Sequence, residues 1–202
     1  MIYYIELRKN AEHTAGPKAP NDIYDISKNL GYKSLKLLIE DEKDSKLKRK
    51  FKVNKMWISL FSKLKKGDVV IFQHPTYGIK EAIRFIPLLK KTKQIKFISV
   101  IHDLELLRGG VSTYDNKIAV LSDKVLLPMF DKIICHNESM KKYLIDEGIC
   151  ESKLVTLDIF DYLTNSSELS ENKGIGLTIA GNLNKDKSGY LYKLIEQNPN
   201  YT

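Results

Sequence analysis

The chain has 202 residues, of which 43% are apolar and 29% charged, and its formal net charge is +8. This composition is ordinary for a globular protein and excludes a disordered or collagen-like chain. No apolar run reaches the roughly 18 residues that a membrane-spanning helix needs. Two cysteines, Cys135 and Cys150, are too few for a disulfide framework or a Cys-rich zinc site. The N-terminus has no signal-peptide features, so we expect a cytoplasmic location.

Apolar runs alternate along the chain with segments of helical periodicity. The runs predict strands at 2–7, 34–39, 69–72, 97–101, 132–134 and 153–157. The segments between them predict helices at 21–30, 45–66, 78–93 (interrupted or kinked near Pro87), 115–127 and 138–147. In the helix 45–66, we expect the inward positions to be Leu47, Phe51, Met56, Leu60 and Leu64. The alternation predicts an α/β fold, a Rossmann-like parallel sheet with helices on both faces.

The positive charge is concentrated in one block. Residues 41–96 contain sixteen basic and five acidic side chains, a net charge of +11. Such a block suits a solvated helical face, an anionic membrane surface or a nucleic acid. Because no nucleic-acid-binding motif accompanies it, we expect no nucleic acid partner.

The chain divides by composition into three parts. Residues 1–157 predict the α/β domain, and the polar stretch 158–173 predicts a linker. Residues 174–202 predict the opening strand, loop and helix of a second α/β domain. One strand and one helix cannot bury a core. Either this unit packs on the first domain, or the chain is a truncated piece of a larger protein. Its exposed apolar strand needs a partner, which points to a homo-oligomer.

Polar residues follow the predicted strands, at the edge of a parallel sheet where ligands bind. His102 and Asp103 are candidates for a general base or for binding a sugar hydroxyl, with a strand-capping role for His102 as the alternative. Arg108 could bind phosphate with its bidentate fork. The other candidates for substrate binding are Gly16, Gln73, Thr76, Tyr77, His136 and Asn137, of which Asn137 is equally suited to cap the next helix. No spacing of His, Asp and Glu resembles a zinc motif, so we expect no metal.

A glycine-containing turn in the second unit is a candidate phosphate site. Glycine permits close approach of the backbone, and free N–H groups at a helix start favour an anion. A plain strand–helix turn is the alternative, because the spacing matches neither a dinucleotide nor a Walker fingerprint. The candidate residues are Gly181, Asn182, Lys185, Lys187 and Ser188.

Five segments of the sequence, taken together, form a specific combination. They are GDVVIFQHPTYG (67–78), FISVIHDLELLR (97–108), DKIICHNESMKKYLIDEGI (131–149), KLVTLDIFDYLT (153–164) and IAGNLNKDKSGYLYKL (179–194). In these stretches the chain resembles bacterial glycosyltransferases of the β-1,6-galactofuranosyltransferase type, within a wider set that includes glucosyltransferases of adhesin glycosylation.

The resemblance implies the GT-B architecture, in which an N-terminal acceptor domain and a C-terminal donor domain face each other across a cleft. It places His102, Asp103 and Arg108 on the acceptor side, with His102 or Asp103 as the base. It places residues 181–188 in the first donor-diphosphate loop, and most of the donor domain would then be missing after Thr202.

The activity implied is transfer of a hexose, galactofuranose by this resemblance, from a UDP-sugar to a glycan or lipid-linked acceptor in cell-surface polysaccharide synthesis. No metal or other cofactor is implied, and the enzyme would act at the inner face of the cell membrane as a peripheral protein. The alternative is a non-catalytic module that binds a glycan or a partner protein.

Overall fold

The computed structural model describes residues 1–6, 18–36, 46–107 and 113–158, together with 163, 192–193 and 196–197. Within these ranges lies one parallel sheet of six strands in the order β2-β1-β3-β4-β5-β6. The predicted α/β fold is therefore confirmed. The strands are β1 (Ile2–Glu6), β2 (Lys33–Lys36), β3 (Val69–His74), β4 (Lys96–Ile101), β5 (Lys132–Cys135) and β6 (Leu154–Thr156).

Helices connect the successive strands. The third helix continues through Pro87 without interruption. The predicted helix 115–127 divides into an α-helix that ends at Val120, a π-helix (Leu121–Leu126) and a short 3-10 turn (Leu127–Met129). A second 3-10 turn, Glu151–Lys153, precedes β6. The α-helices are α1 (Lys18–Asn29), α2 (Lys46–Lys63), α3 (Ile79–Lys93), α4 (Thr113–Val120) and α5 (Glu138–Asp146).

The two faces of the sheet pack against different helices. On one face Phe72 of β3 stacks with Trp57 of α2, with ring centroids 6.1 Å apart, and Trp57 stacks in turn with Phe85 of α3 at 6.0 Å. On the opposite face Tyr4 of β1 stacks with Tyr24 of α1 at 5.9 Å. Successive side chains of a strand point to opposite faces, so each strand contributes to both layers.

One prediction about α2 is wrong. Phe51 was expected to face inwards, but 72% of its surface is exposed. The side chains of α2 that reach the core are Val53, Trp57, Leu60 and Leu64, which follow one another at helical spacing. Phe51 lies on the other side of the helix, because it is two positions before Val53 and each position turns the helix by about 100°.

The chain separates into two compact units, Met1–Tyr162 and Leu163–Thr202. Nearly all of the second unit lies outside the described residues, so the predicted linker 158–173 and the donor unit 174–202 stay predictions. Among the described helices, none is both long and apolar enough to cross a membrane.

Candidate functional site

Three polar side chains from neighbouring strands meet at the carboxyl edge of the sheet. Gln73 is paired in register with Val100, and Val100 with Ile134. His102 lies two residues after Val100, and His136 lies two residues after Ile134. Because side chains alternate along a strand, both histidines are on the same face of the sheet as Gln73. The imidazole rings of His102 and His136 are 6.4 Å apart, and His102 is hydrogen-bonded to Gln73. We call these three residues the strand-end cluster.

The contacts of Gln73 determine which nitrogen of His102 carries the proton. The Nε2 of Gln73 donates a hydrogen bond of 3.0 Å to the carbonyl of Pro20 in α1. Its Oε1 is therefore the atom that faces His102, and it accepts a hydrogen bond from the Nε2–H of that imidazole. A neutral His102 consequently has its basic lone pair on Nδ1.

The surroundings of His102 favour its neutral form. Burial lowers the pKa of this imidazole to about 4, and the nearby His136 and His74 act in the same direction. The carboxylate of Asp103 raises the pKa of His102 but does not offset these effects. At neutral pH His102 is therefore an uncharged group that can accept a hydrogen bond through Nδ1 and donate one through Nε2.

A second polar cluster lies on the opposite face of the sheet, and its acidic member, Asp123, was missed by the sequence analysis. His74, which is 1% exposed, contacts the carboxylate of Asp123 with 2.8 Å between Nε2 and Oδ1. The other oxygen of Asp123 accepts a hydrogen bond of 2.9 Å from the backbone N–H of Leu106. Asp123 lies in the π-helix, a distortion that is frequent at functional sites.

Asp123 thereby ties together the segments that carry the strand-end cluster. His74 follows Gln73 directly, and the backbone N–H of His102 donates a hydrogen bond of 2.8 Å to the carbonyl of His74. Leu106 belongs to the turn that follows His102 and Asp103. One buried carboxylate therefore holds both the end of β3 and the turn after β4. No sequence motif marks Asp123, because it lies in a helix far along the chain from its partners.

The remaining predicted residues fall into two groups. Thr76 and Tyr77 are half-buried in the segment between β3 and α3, which follows a cis His74–Pro75 bond. Asn137 caps α5, since its Oδ1 accepts a hydrogen bond of 2.8 Å from the N–H of Met140. Their roles in substrate binding stay predictions. The residues that lie outside the described ranges are Gly16, Arg108, Gly181, Asn182, Lys185, Lys187 and Ser188.

The described ranges contain several side chains of the kinds that bind metals. Among those residues, no group of three or more His, Cys, Asp or Glu side chains is arranged to hold a metal ion. The predicted absence of a metal stays a prediction, because much of the chain lies outside these ranges.

Comparisons with known proteins give a consistent result. Residues 1–159 match the family described as "Glucosyltransferase 3-like, N-terminal domain". Glucosyltransferase 3 of Streptococcus parasanguinis is 24% identical over 170 residues, which are 82% of this chain and 48% of that protein. Glucosyltransferase 3 of Streptococcus gordonii is 26% identical over 154 residues, 71% of this chain and 41% of that protein. The chain spans less than half the length of these curated relatives.

Proposed function

Because this chain belongs to the glucosyltransferase 3-like N-terminal domain family, we propose that residues 1–157 form the acceptor-side domain of a glycosyltransferase. The observation that carries the proposal is the strand-end cluster. It presents an amide and two imidazoles at the edge of a parallel sheet, where such folds bind ligands. Groups of this kind suit sugar hydroxyls, which both donate and accept hydrogen bonds.

In the proposed reaction, an acceptor hydroxyl attacks the anomeric carbon of a UDP-sugar. A C–O bond forms at that carbon, its bond to the diphosphate oxygen breaks, and the hydroxyl proton passes to a base. His102, through Nδ1, is one candidate for the base. The exposed carboxylate of Asp103, the next residue, is the other.

The low pKa of His102 makes its strength as a base dependent on binding of the sugar donor. An imidazole with a pKa of about 4 is a weak base at neutral pH. The negative charge of a diphosphate close to the ring raises the pKa of a histidine. We therefore expect His102 to become an effective base when the donor is bound, which would couple proton removal to the presence of both substrates.

The sugar itself is a further part of the proposal. The sequence resemblance predicts a galactofuranosyl donor, whereas both relatives are named glucosyltransferases, which supports a glucosyl donor. We propose a hexosyl group carried by UDP, with no metal, transferred to a glycan or lipid-linked acceptor. Contacts to the diphosphate from Arg108 and residues 181–188 remain sequence-based hypotheses.

The test combines calorimetry with NMR of the histidine rings. The chain has only four histidines, so the labelled imidazole of His102 can be assigned by comparison with His102→Gln. We expect UDP-glucose or UDP-galactofuranose to bind, and donor binding to raise the pKa of His102 by at least one unit. Turnover of the bound donor with a panel of glycan acceptors should fall at least 100-fold in His102→Gln or in Asp103→Asn, whichever removes the base.

Asp146→Asn, a change on the exposed surface of α5, is the matched control and should leave binding and turnover unchanged. Binding of a glycan without UDP-sugar binding or turnover would retain the acceptor-side role of residues 1–157 and make this chain on its own the non-catalytic, glycan-binding alternative. Failure of both UDP-sugars and glycans to bind at millimolar concentration would refute the proposal.

A further inference from the structure

The exposed face of α2 combines two features that are rarely found together on a solvated helix. Phe51 and Ile58 are 72% and 59% exposed. They are seven residues apart, two turns of the helix, and therefore lie on the same side. Lys55 is exposed between them, and it carries no ion pair within the described part of the chain.

The stripe continues in both directions along the helix. Lys48 lies one turn before Phe51, and Ser62 one turn after Ile58, and both are exposed. From the first to the last of these positions the stripe is about 21 Å long, at 1.5 Å per residue. We call the stripe formed by Lys48, Phe51, Lys55, Ile58 and Ser62 the outer face of α2.

The segment that forms this face carries charge of a single sign. Residues 46–66 contain nine lysines and arginines and neither Asp nor Glu. Exposed lysines continue past the end of the helix at Lys63, Lys65 and Lys66. Any surface that covers the outer face must therefore accommodate the net positive charge of this segment.

From this combination we infer that the outer face of α2 binds the surface of an anionic lipid bilayer. Helices that lie in a membrane interface bury large apolar side chains at the headgroup boundary, while flanking lysines contact anionic headgroups. Protein interfaces, by contrast, are depleted in lysine. A nucleic acid would account for the lysines but not for an exposed isoleucine, because its backbone offers no apolar layer.

The helix is already fixed in the orientation that binding needs. Its opposite side is anchored in the core through Val53, Trp57, Leu60 and Leu64. Because the helix is preformed, the bilayer does not have to induce it, and the ordering cost of binding is small. This inference concerns where the protein acts, and it does not depend on the proposed sugar transfer.

Co-sedimentation of the full 202-residue chain with vesicles tests the inference. We expect binding to vesicles of phosphatidylcholine with 30% phosphatidylglycerol at 0.15 M salt, and at least tenfold weaker binding to phosphatidylcholine alone. Lys55→Gln should weaken binding about fivefold, the expected share of one lysine near such a surface. The double variant Phe51→Ser/Ile58→Ser should weaken it at least tenfold.

Two matched controls lie away from α2. Leu30→Ser removes another exposed apolar side chain, and Lys142→Gln neutralises an exposed lysine of α5, and neither should change binding. Thermal unfolding of each variant verifies the fold, which these exposed positions should not affect. In Phe51→Trp, the new fluorophore should shift to shorter wavelength with anionic vesicles, over the constant signal of the buried Trp57.

Three results would overturn the inference. The first is no binding to the anionic vesicles at 0.15 M salt. The second is binding that Phe51→Ser/Ile58→Ser leaves unchanged. The third is binding to heparin or duplex DNA that is tighter than binding to vesicles and indifferent to the double variant, which would make the face a polyanion site.

Discussion

Replacement of Asp123 by alanine should show how much one buried carboxylate contributes to this fold. The change removes the acceptor of two hydrogen bonds, one from His74 at 2.8 Å and one from the N–H of Leu106 at 2.9 Å. His74 is 1% exposed, so its Nε2–H cannot reach bulk water and keeps only the distant hydroxyl of Ser122, at 3.5 Å. Leu106 is half-buried, so we expect its N–H to regain a hydrogen bond from water.

The expected loss in free energy of unfolding depends on how well each of these two donors can be satisfied after the substitution. An unsatisfied buried donor costs about 1–3 kcal/mol, and a donor that regains water costs less. Relief of the buried carboxylate's own desolvation offsets part of the loss. We expect Asp123→Ala to lower the free energy of unfolding by about 3 kcal/mol. Asp123→Asn, which keeps one acceptor oxygen, should lower it by about 2 kcal/mol.

Urea unfolding at pH 7 measures both values, with the fluorescence of the single tryptophan, Trp57, as the signal. Ser122→Ala is the matched control, because Ser122 is equally buried but its hydroxyl lies 3.5 Å from the His74 ring, too far for a strong hydrogen bond. Amide exchange at Leu106 should accelerate in Asp123→Ala. If Asp123→Ala lowered the free energy of unfolding by less than 1 kcal/mol, or if Ser122→Ala lowered it equally, Asp123 would not hold the end of β3 and the turn after β4 together.

Three further predictions concern single positions. The folded-state pKa of His102, about 4, is below its unfolded value of about 6.5, so its contribution to stability is complete above pH 6.5 and is lost as the pH falls towards 4. When the pH falls from 7 to 4.5, the free energy of unfolding measured in urea should therefore decrease by about 2 kcal/mol less in His102→Gln than in the unsubstituted protein. An equal decrease in both proteins would contradict the low pKa. Gly78→Ala should cost about 1–2 kcal/mol, because Gly78 has a φ of +69° and the new Cβ would lie 3.2 Å from Nε1 of Trp57; a neutral effect in thermal unfolding would argue against this backbone geometry. Phe72→Ala should cost about 3–5 kcal/mol, since its ring is 1% exposed and contacts three other aromatic rings; calorimetry showing less than 2 kcal/mol would mean that the core collapses around the gap.

The sheet could be predicted from the sequence because its strands are short apolar runs rich in β-branched and aromatic residues. Val69–Phe72 and Phe97–Ile101 were placed correctly for this reason, although β3 extends two residues further than predicted. Those two residues, Gln73 and His74, are polar and lie at the end of the strand. Hydrophobicity alone cannot detect such an extension, because the strand is continued by hydrogen bonds to β4 and not by apolar burial.

The position of the strand-end cluster, though not its role, could be predicted from the sequence. His102 and His136 were expected at one edge of the sheet because polar residues that follow apolar strands collect there. The partner of His74 could not be identified, because the approach of the π-helix is a tertiary contact. The orientation of Phe51 was mispredicted because a helix rich in lysine and apolar residues has two possible inner faces. Only the packing of Trp57 between Phe72 and Phe85 decides between them.

The opposite directions of Gln73 and His74 limit how β3 can change during evolution. A substitution at either position alters one cluster and leaves the other in place. An insertion or deletion of one residue within Val69–Phe72 would exchange the two faces, turning the amide towards Asp123 and the imidazole towards His102. Both networks would then be lost in one event. Relatives of this chain should therefore tolerate a substitution at Gln73 or His74 more readily than a change in the length of β3.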